Sequence, residues 1–385
     1  MRENYILRNK NIDVMKFTVN GGTELYIEDV AVIHTDMLPR YMKTLHENPA
    51  RVFEQWIKNR IISSNRIYLK EILRSIGLHV HDQIGMLLMI KGLGLNDTFW
   101  VAREGSNDLW ENVNLYDNEF KDALEYVTFF GHSKSLGAKL RCSPSITTAG
   151  VLPKVWRFEN GKQYLYKAGT SRYANANREP LVEVLAYCIG RLFGIEIVEQ
   201  KLTRLDGVLC TVSENFTDVN ESFVPASEFY SDRAEWDFDT VVSRLGFKDD
   251  IVDMFIFDYI IGNKDRHHNN FGLIVSSVMG NPIRFAPVWD HGASILYSAM
   301  DMDFPINHEE DYEQLVNPNS RELVFSILEP RHKSRIQAVL NNLDEVFKDQ
   351  LKNTYNKKKT IITDEHYENM KTFIQWRCED LLSRL

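Results

Sequence analysis

Cysteine is scarce. Four in 385 residues, Cys142, Cys188, Cys210 and Cys378, with no Cys-x-x-Cys pair, exclude a zinc knuckle and a disulfide framework and read as reduced thiols. The eleven histidines include no HxxxH or HxxEH spacing, so a metalloprotease-type zinc site is excluded as well. No uncharged apolar run reaches 18 residues, and the opening MRENYILRNKN has no apolar leader. The expectation is a soluble, cytoplasmic protein with no membrane partner. Basic charge is also in deficit: 45 Lys plus Arg against 54 Asp plus Glu leave −9. Such a balance disfavours broad attraction to polyanions, so no direct nucleic-acid binding is expected.

What the chain does have is apolar mass, 44% of its residues, with 11% aromatic, enough for one large or two to three modest cores. It also has one conspicuous polar stretch. The apolar run IVDMFIFDYII, residues 251–261, reads as a buried helix, apolar nearly all round. It leads straight into GNKDRHHNNFGL, residues 262–273, which crowds Asp265, Arg266, His267, His268 and several asparagines beside that helix. Two strand-like segments follow, FGLIVS and IRFAPV, joined by a Gly-Asn-Pro turn and ending at Asp290.

Residues 1–130 read as an α+β accessory module. YILRNKNIDVMKFTV and ELYIEDVAVIH alternate like strands, residues 51–76 have helical spacing, and GLGLNDTFWVAREGSNDLWENVNLYDNEF mixes aromatics with turn formers. Residues 131–217 form a second region. GHSKSLGAKLRCSPSITTAG is a small-residue loop. VLPKVWRF, the turn ENGK and QYLYKAG then make a hairpin whose second arm ends near Lys167. Glu179-Pro180 opens a helix that stops at Gly194, with Glu179 and Glu183 one turn apart, and two strands flank Asp206-Gly207. From 218 to 385 the pattern is mostly helical, with amphipathic segments at 321–327, 334–347 and 364–385.

These pieces supply what phosphoryl transfer from a nucleotide requires: a phosphate cradle, a cation, metal ligands, and a carboxylate beside the acceptor hydroxyl. The loop with Ser143, Ser145, Thr147, Thr148 and Gly150 precedes a strand and would cradle phosphates with its backbone N–H groups. Lys167 would reach the α- and β-phosphates, with Glu179 or Glu183 holding it extended. Asp265 follows a rigid helix, where a base can be fixed, and Asn270 with Asp290 forms an oxygen-only pair suited to Mg2+. Taken singly, Lys167 reads as a strand-end lysine, the two glutamates as helix-surface carboxylates, Asp265 with Arg266 as a structural ion pair, and the small-residue loop as a linker. Their joint occurrence in sensible chain order favours the site.

NKDRHHNNFGL followed by FAPVWDHGAS resembles the catalytic and metal-binding segments of HipA-like serine/threonine kinases, a family distantly related to protein and phosphatidylinositol kinases. The resemblance runs from about residue 143 to the end. It extends to YLYKAG and REPLVEVLAYCIGRLFGIEI. It implies an α+β, bilobal protein-kinase-like fold: a small antiparallel-sheet lobe, a mainly helical lobe, and here an N-terminal α+β module. It implies ATP and Mg2+ as cofactors, Asp265 as base, Asn270 and Asp290 as metal ligands, Lys167 as the nucleotide lysine and His267 near the γ-phosphate. Glu179 matches the acidic residue opening the helix in such kinases. SPSITTAGVLPK resembles the phosphate loop, whose serine is autophosphorylated in some members, and SENF, residues 213–216, would be the hinge at adenine. Leu152 stands where the family loop commonly carries Gln, and residues 1–130 do not match the N-terminal subdomain of the toxin members. The implied partners are a protein substrate and, on the toxin side of the family, an antitoxin or regulatory protein. Two other readings stay open. One is a lipid or small-molecule kinase, against which the acidic MDMDFPINHEEDYEQ argues. The other is a catalytically inactive kinase-like binding module.

Overall fold

A computed structural model describes residues 2–44, 48–61, 68–118, 125–130, 152–170, 177–230, 237–299, 321–354 and 362–385. The small-residue loop with Ser143, Ser145, Thr147, Thr148 and Gly150, and the acidic segment 300–314, lie outside the described residues. The chain divides into two compact units. One comprises Met1–Tyr166, Glu214–Leu245 and Gly272–Arg284; the other comprises Lys167–Ser213, Gly246–Phe271 and Phe285–Leu385. No helix among the described residues is long and apolar enough to cross a membrane.

The first unit opens with a four-stranded sheet in the order β3-β2-β1-β4, from β1 (Arg2–Asn9), β2 (Ile12–Asn20), β3 (Tyr26–Val32) and β4 (Phe99–Arg103). β1 pairs antiparallel with both β2 and β4. The β1–β2 turn passes through Lys10 at φ 51, in the left-handed region. Helices α1 (Arg40–Thr44), α2 (Pro49–Lys58), α3 (Leu69–Ser75) and α4 (Gln83–Ile90) belong to this unit too. α2 begins with Asn48 accepting from the Ala50 N–H, and Pro49 occupies the first helical position, where its missing donor costs nothing. Its Val52, Phe53, Trp56 and Ile57 are buried with Leu7, Met15 and Phe17 of the sheet in one apolar cluster. A second cluster gathers Trp100, Trp110 and Leu115, with Trp156 and Phe158 packed against it. Trp100, Trp110 and Tyr116 of the 92–120 run are therefore core residues. Short helices α5 (Trp110–Val113) and α6 (Glu125–Phe130) follow, then β5 (Lys154–Glu159) and β6 (Lys162–Ala168) around the positive-φ turn Asn160-Gly161.

In the second unit, α7 (Glu179–Phe193) starts with Pro180 in its first turn and stops at Gly194, φ 80. Strands β7 (Lys201–Leu205) and β8 (Val208–Glu214) pair antiparallel around Asp206-Gly207. The stretch after Asp218, expected to be mostly helical, holds strand β9 (Glu221–Pro225). Its Phe223 N–H is bound by the Asn96 carbonyl, and β9 pairs with β10 (Gly272–Ser276), so pairing partners override the local pattern. That three-stranded sheet, order β11-β10-β9 with β11 (Pro282–Phe285), belongs almost wholly to the first unit.

Helix α8 (Phe238–Leu245) precedes α9 (Lys248–Ile261), the helix expected from residues 251–261. Ten of its residues are buried, from Ile251 to Ile261. Burial of side chains such as Phe255, Ile256 and Phe257 stabilises by about 1.5–3 kcal/mol each. Asp249 and Asp250 sit in its first turn, where negative charge complements the helix dipole. Gly262 ends it at φ 61, and a Cβ there would lie 2.7 Å from Phe373 Cζ, so the stop needs glycine twice over. Phe373 belongs to α12 (Asp364–Leu382), which with α10 (Arg321–Ile327) and α11 (His332–Thr354) completes the unit.

Candidate active site

Lys167, Glu179, Glu183, Asp265, His267, Asn270 and Asp290 all lie in the second unit, whereas of the segment SENF only Ser213 does, and residues 214–216 belong to the first. Lys167, near the end of β6, has a side chain only 16% exposed. Its Nζ donates to Glu183 Oε1 at 2.7 Å and also to Asp290 Oδ1. Burial alone would depress the ammonium pKa. The charges of Asp290 and Glu183, and their hydrogen bonds, outweigh burial and hold it well above the ordinary lysine value. Lys167 is therefore a fixed cation.

Glu183 sits one turn into α7, 2% exposed, and its other oxygen accepts the His291 N–H at 3.0 Å. It ties Lys167 to the segment that carries Asp290. Glu179 does something else. Its carboxylate accepts the Thr170 N–H at 3.2 and 3.3 Å, and a Cβ on Gly169 would lie 2.4 Å from Glu179 Oε2. Glu179 thus shapes the turn after β6, and Glu183 is the carboxylate brought onto Lys167.

The loop after α9 is built largely from main-chain bonds. The Asp265 N–H donates to Asn263 Oδ1 at 3.1 Å, and the Asp265 carbonyl accepts from the His267 N–H at 2.9 Å and from Asn270 Nδ2 at 3.0 Å. Because the Asn270 amide nitrogen is spent on that carbonyl, its oxygen is the end left to act as ligand. The Asp265 carboxylate is 57% exposed, with His267 Nε2 4.0 Å away. Partial burial pushes its pKa up; His267 opposes this, Asp290 adds to it, and Lys167 and Arg266 pull it down, with a net rise. His267 is half exposed, and its Nδ1 accepts the Asn269 N–H at 3.2 Å, which places the neutral-ring proton on Nε2, facing Asp265. His268 is 4% exposed, and burial, with the nearby His267, pushes its pKa down to about 2. It packs edge-on against Phe271 as a neutral core group.

Asp290 has φ 61, a left-handed conformation that Asp tolerates better than most residues but still at a cost. Its flanks are anchored: Val288 exchanges backbone bonds with Glu196 and Val198, and buried His291 packs against Phe257 of α9. Burial holds His291 well below the ordinary histidine pKa.

Arg266 does not pair with its neighbour Asp265. It forms a buried fork onto Asp258 of α9, Nε to Oδ2 at 2.8 Å and Nη2 to Oδ1 at 3.0 Å. Asp258 is the residue that sequence reasoning passed over, because one carboxylate in an apolar run does not alter a helix pattern. A buried Asp eight residues before an Arg on a polar loop is the signal that could have found it.

Among the described residues no group of three or more His, Cys, Asp or Glu side chains could hold a metal ion. Asn270 and Asp290 offer oxygen donors only, one neutral and one charged. That donor set fits Mg2+, which binds through one or two side chains and completes its shell with nucleotide phosphates and water. Beside it, Lys167 is a fixed cation of the kind that a triphosphate needs.

No protein-family model matches this chain, and no curated protein matches it in sequence. The chain is similar to a number of solved structures, among them these two. The Helicobacter pylori proinflammatory kinase CtkA is 17% identical, with a TM-score of 0.46, over 60% of this chain and 93% of that one. HipA of Shewanella oneidensis, solved as a toxin–antitoxin system with HipB and operator DNA, is 13% identical with a TM-score of 0.56. That match covers 98% of this chain and 97% of HipA. The chain is an α+β protein with the kinase-like fold of HipA.

Proposed function

We propose that the chain is an ATP- and Mg2+-dependent serine/threonine protein kinase. The observation that carries this reading is Lys167 held between Glu183 and Asp290, in the unit whose α9 loop presents Asp265 and Asn270. In the proposed reaction Lys167 binds the phosphates of ATP, which requires Asp290 to exchange the lysine for the metal, while Glu183 keeps the ammonium extended. Mg2+, held by Asn270 and Asp290, would supply charge neutralisation at the phosphate oxygens. Asp265, the exposed carboxylate, orients the acceptor hydroxyl and takes its proton as the oxygen attacks the γ-phosphorus and the bond to the departing ADP breaks. Positioning and electrostatics supply most of the acceleration. In this reading His267, 4.0 Å from Asp265, contacts the γ-phosphate.

In this reading residues 131–217 serve as the nucleotide lobe, 218–385 as the lobe with the catalytic loop, and 1–130 as an accessory module. The segment SENF at 213–216 serves as the adenine hinge. A protein or basic peptide is favoured over a lipid as acceptor by the acidic sequence at 300–314. The partner proposal, an antitoxin or regulatory protein, is supported by the likeness to a HipA solved with HipB and operator DNA. At net charge −9 the chain itself is poorly suited to hold DNA.

Incubation with ATP and Mg2+ followed by intact-mass and peptide mass spectrometry tests the reading. The expected result is a phosphoryl group on Ser143, Ser145, Thr147 or Thr148, or transfer to an added basic protein. Absence of both, with no nucleotide-dependent thermal shift, would favour the inactive binding module.

A pH profile gives a second check. Asp265 must be ionised to accept a proton, and its carboxyl is shifted upward. The acid limb of kcat/KM is therefore expected at higher pH than the ordinary aspartate value of 3.8, falling about tenfold per unit below it. An acid limb at or below that value would remove Asp265 from the role.

A further inference from the structure

We propose that Arg266 is a positioning residue that sets the spacing of the two metal-ligand candidates, Asn270 and Asp290, by gripping the backbone beside each from one guanidinium. The proposal rests on the kinase reading above. Arg266 is 4% exposed, and its Nε and Nη2 are spent on Asp258. Its remaining nitrogen, Nη1, donates to two carbonyls: Asn270 O at 2.7 Å and Trp289 O, immediately before Asp290, at 2.9 Å. Asp258 is itself buried, 1% exposed in the last turn of α9, and accepts from Asn263 Nδ2 at 2.9 Å. The chain of contacts runs from a rigid helix, through a planar cation, to the two segments that carry the oxygen ligands.

Those segments come from different parts of the chain, one directly after α9 and one after β11. Mg2+ demands near-octahedral geometry at about 2.0–2.1 Å, so a small change in their separation weakens the site. A guanidinium suits the task because its donors lie in one plane and point in fixed directions; a lysine ammonium at the same place cannot bridge all three acceptors. Arg266 touches neither metal nor nucleotide in this scheme. It acts as outer-shell groups do elsewhere, where their loss typically costs about 10–100-fold in metal affinity or activity.

The full chain and two variants, Arg266→Lys and Asp258→Asn, distinguish this role from a merely structural one. Mn2+ binding is read by the loss of free-ion EPR signal with a non-hydrolysable ATP analogue present, and the Mg2+ dependence of transfer from labelled ATP is read alongside. Both variants are expected to raise the half-saturating Mn2+ and Mg2+ concentrations roughly tenfold, with transfer at saturating Mg2+ restored to within a few-fold of wild type. Unmoved midpoints with uniformly lower activity would overturn the proposal and leave the pair a structural one. Asp258→Asn keeps the side-chain shape and an acceptor oxygen, so it holds the test open where Arg266→Lys fails to fold; failure of both assigns the pair to stability alone. If wild type binds Mn2+ and the analogue but transfers nothing, the kinase reading fails while the midpoints still judge the clamp.

Discussion

Asp265→Asn is expected to cut phosphoryl transfer by about 10²–10⁴-fold while leaving the fold in place. The structure separates the two consequences. What holds residue 265 in the loop is its main chain, whose N–H binds Asn263 and whose carbonyl takes bonds from His267 and Asn270. Asparagine retains all of these. The carboxylate itself is 57% exposed, with His267 Nε2 4.0 Å away, so removing the charge leaves no buried group unpaired. Activity measured as transfer from labelled ATP should fall while nucleotide binding and the thermal midpoint stay close to wild type. Transfer at the wild-type rate would sink Asp265 as base. Loss of nucleotide binding together with activity would show instead that the residue builds the pocket.

Elements with a local chemical cause were legible in the sequence. The hairpin around Asn160-Gly161, the helix opened by Glu179-Pro180 and closed by Gly194, and the buried helix ending at Gly262 lie where proline's fixed φ and the tolerance of Gly and Asn for positive φ put them. The candidate site was legible as a set of residues but not as a set of partners. Helical spacing placed Glu179 and Glu183 on one edge of α7, and only three-dimensional packing sends the first to the Thr170 amide and the second to Lys167. Arg266 beside Asp265 suggested an adjacent ion pair, yet adjacent side chains diverge, and the guanidinium reaches back to Asp258. Strand β9 was missed because its evidence lies in Asn96 and β10, far away in sequence.

The second large effect is on stability. Arg266→Ala is expected to cost about 3–5 kcal/mol, because it strands a buried carboxylate. The two side chains of the pair are 1% and 0% exposed, so water cannot take over the lost contacts. Among the described residues Asn263 would remain as a single neutral side-chain donor to Asp258, too little to solvate a charge. The double variant Asp258→Leu/Arg266→Met removes both charges and keeps comparable volume, and it should be markedly more stable than Arg266→Ala alone. It still releases the carbonyls of Asn270 and Trp289, at about 1–3 kcal/mol for each buried group left unsatisfied. Urea unfolding of wild type, the singles Arg266→Ala, Asp258→Leu and Arg266→Met, and the double gives the coupling directly. A cost below about 1 kcal/mol for Arg266→Ala would mean that Asp258 finds other partners, contrary to the observed fork. Stability and metal geometry should then part company in the double variant. An apolar pair can fill the space under the loop, but it has no donors with which to set the distance between Asn270 and Asp290.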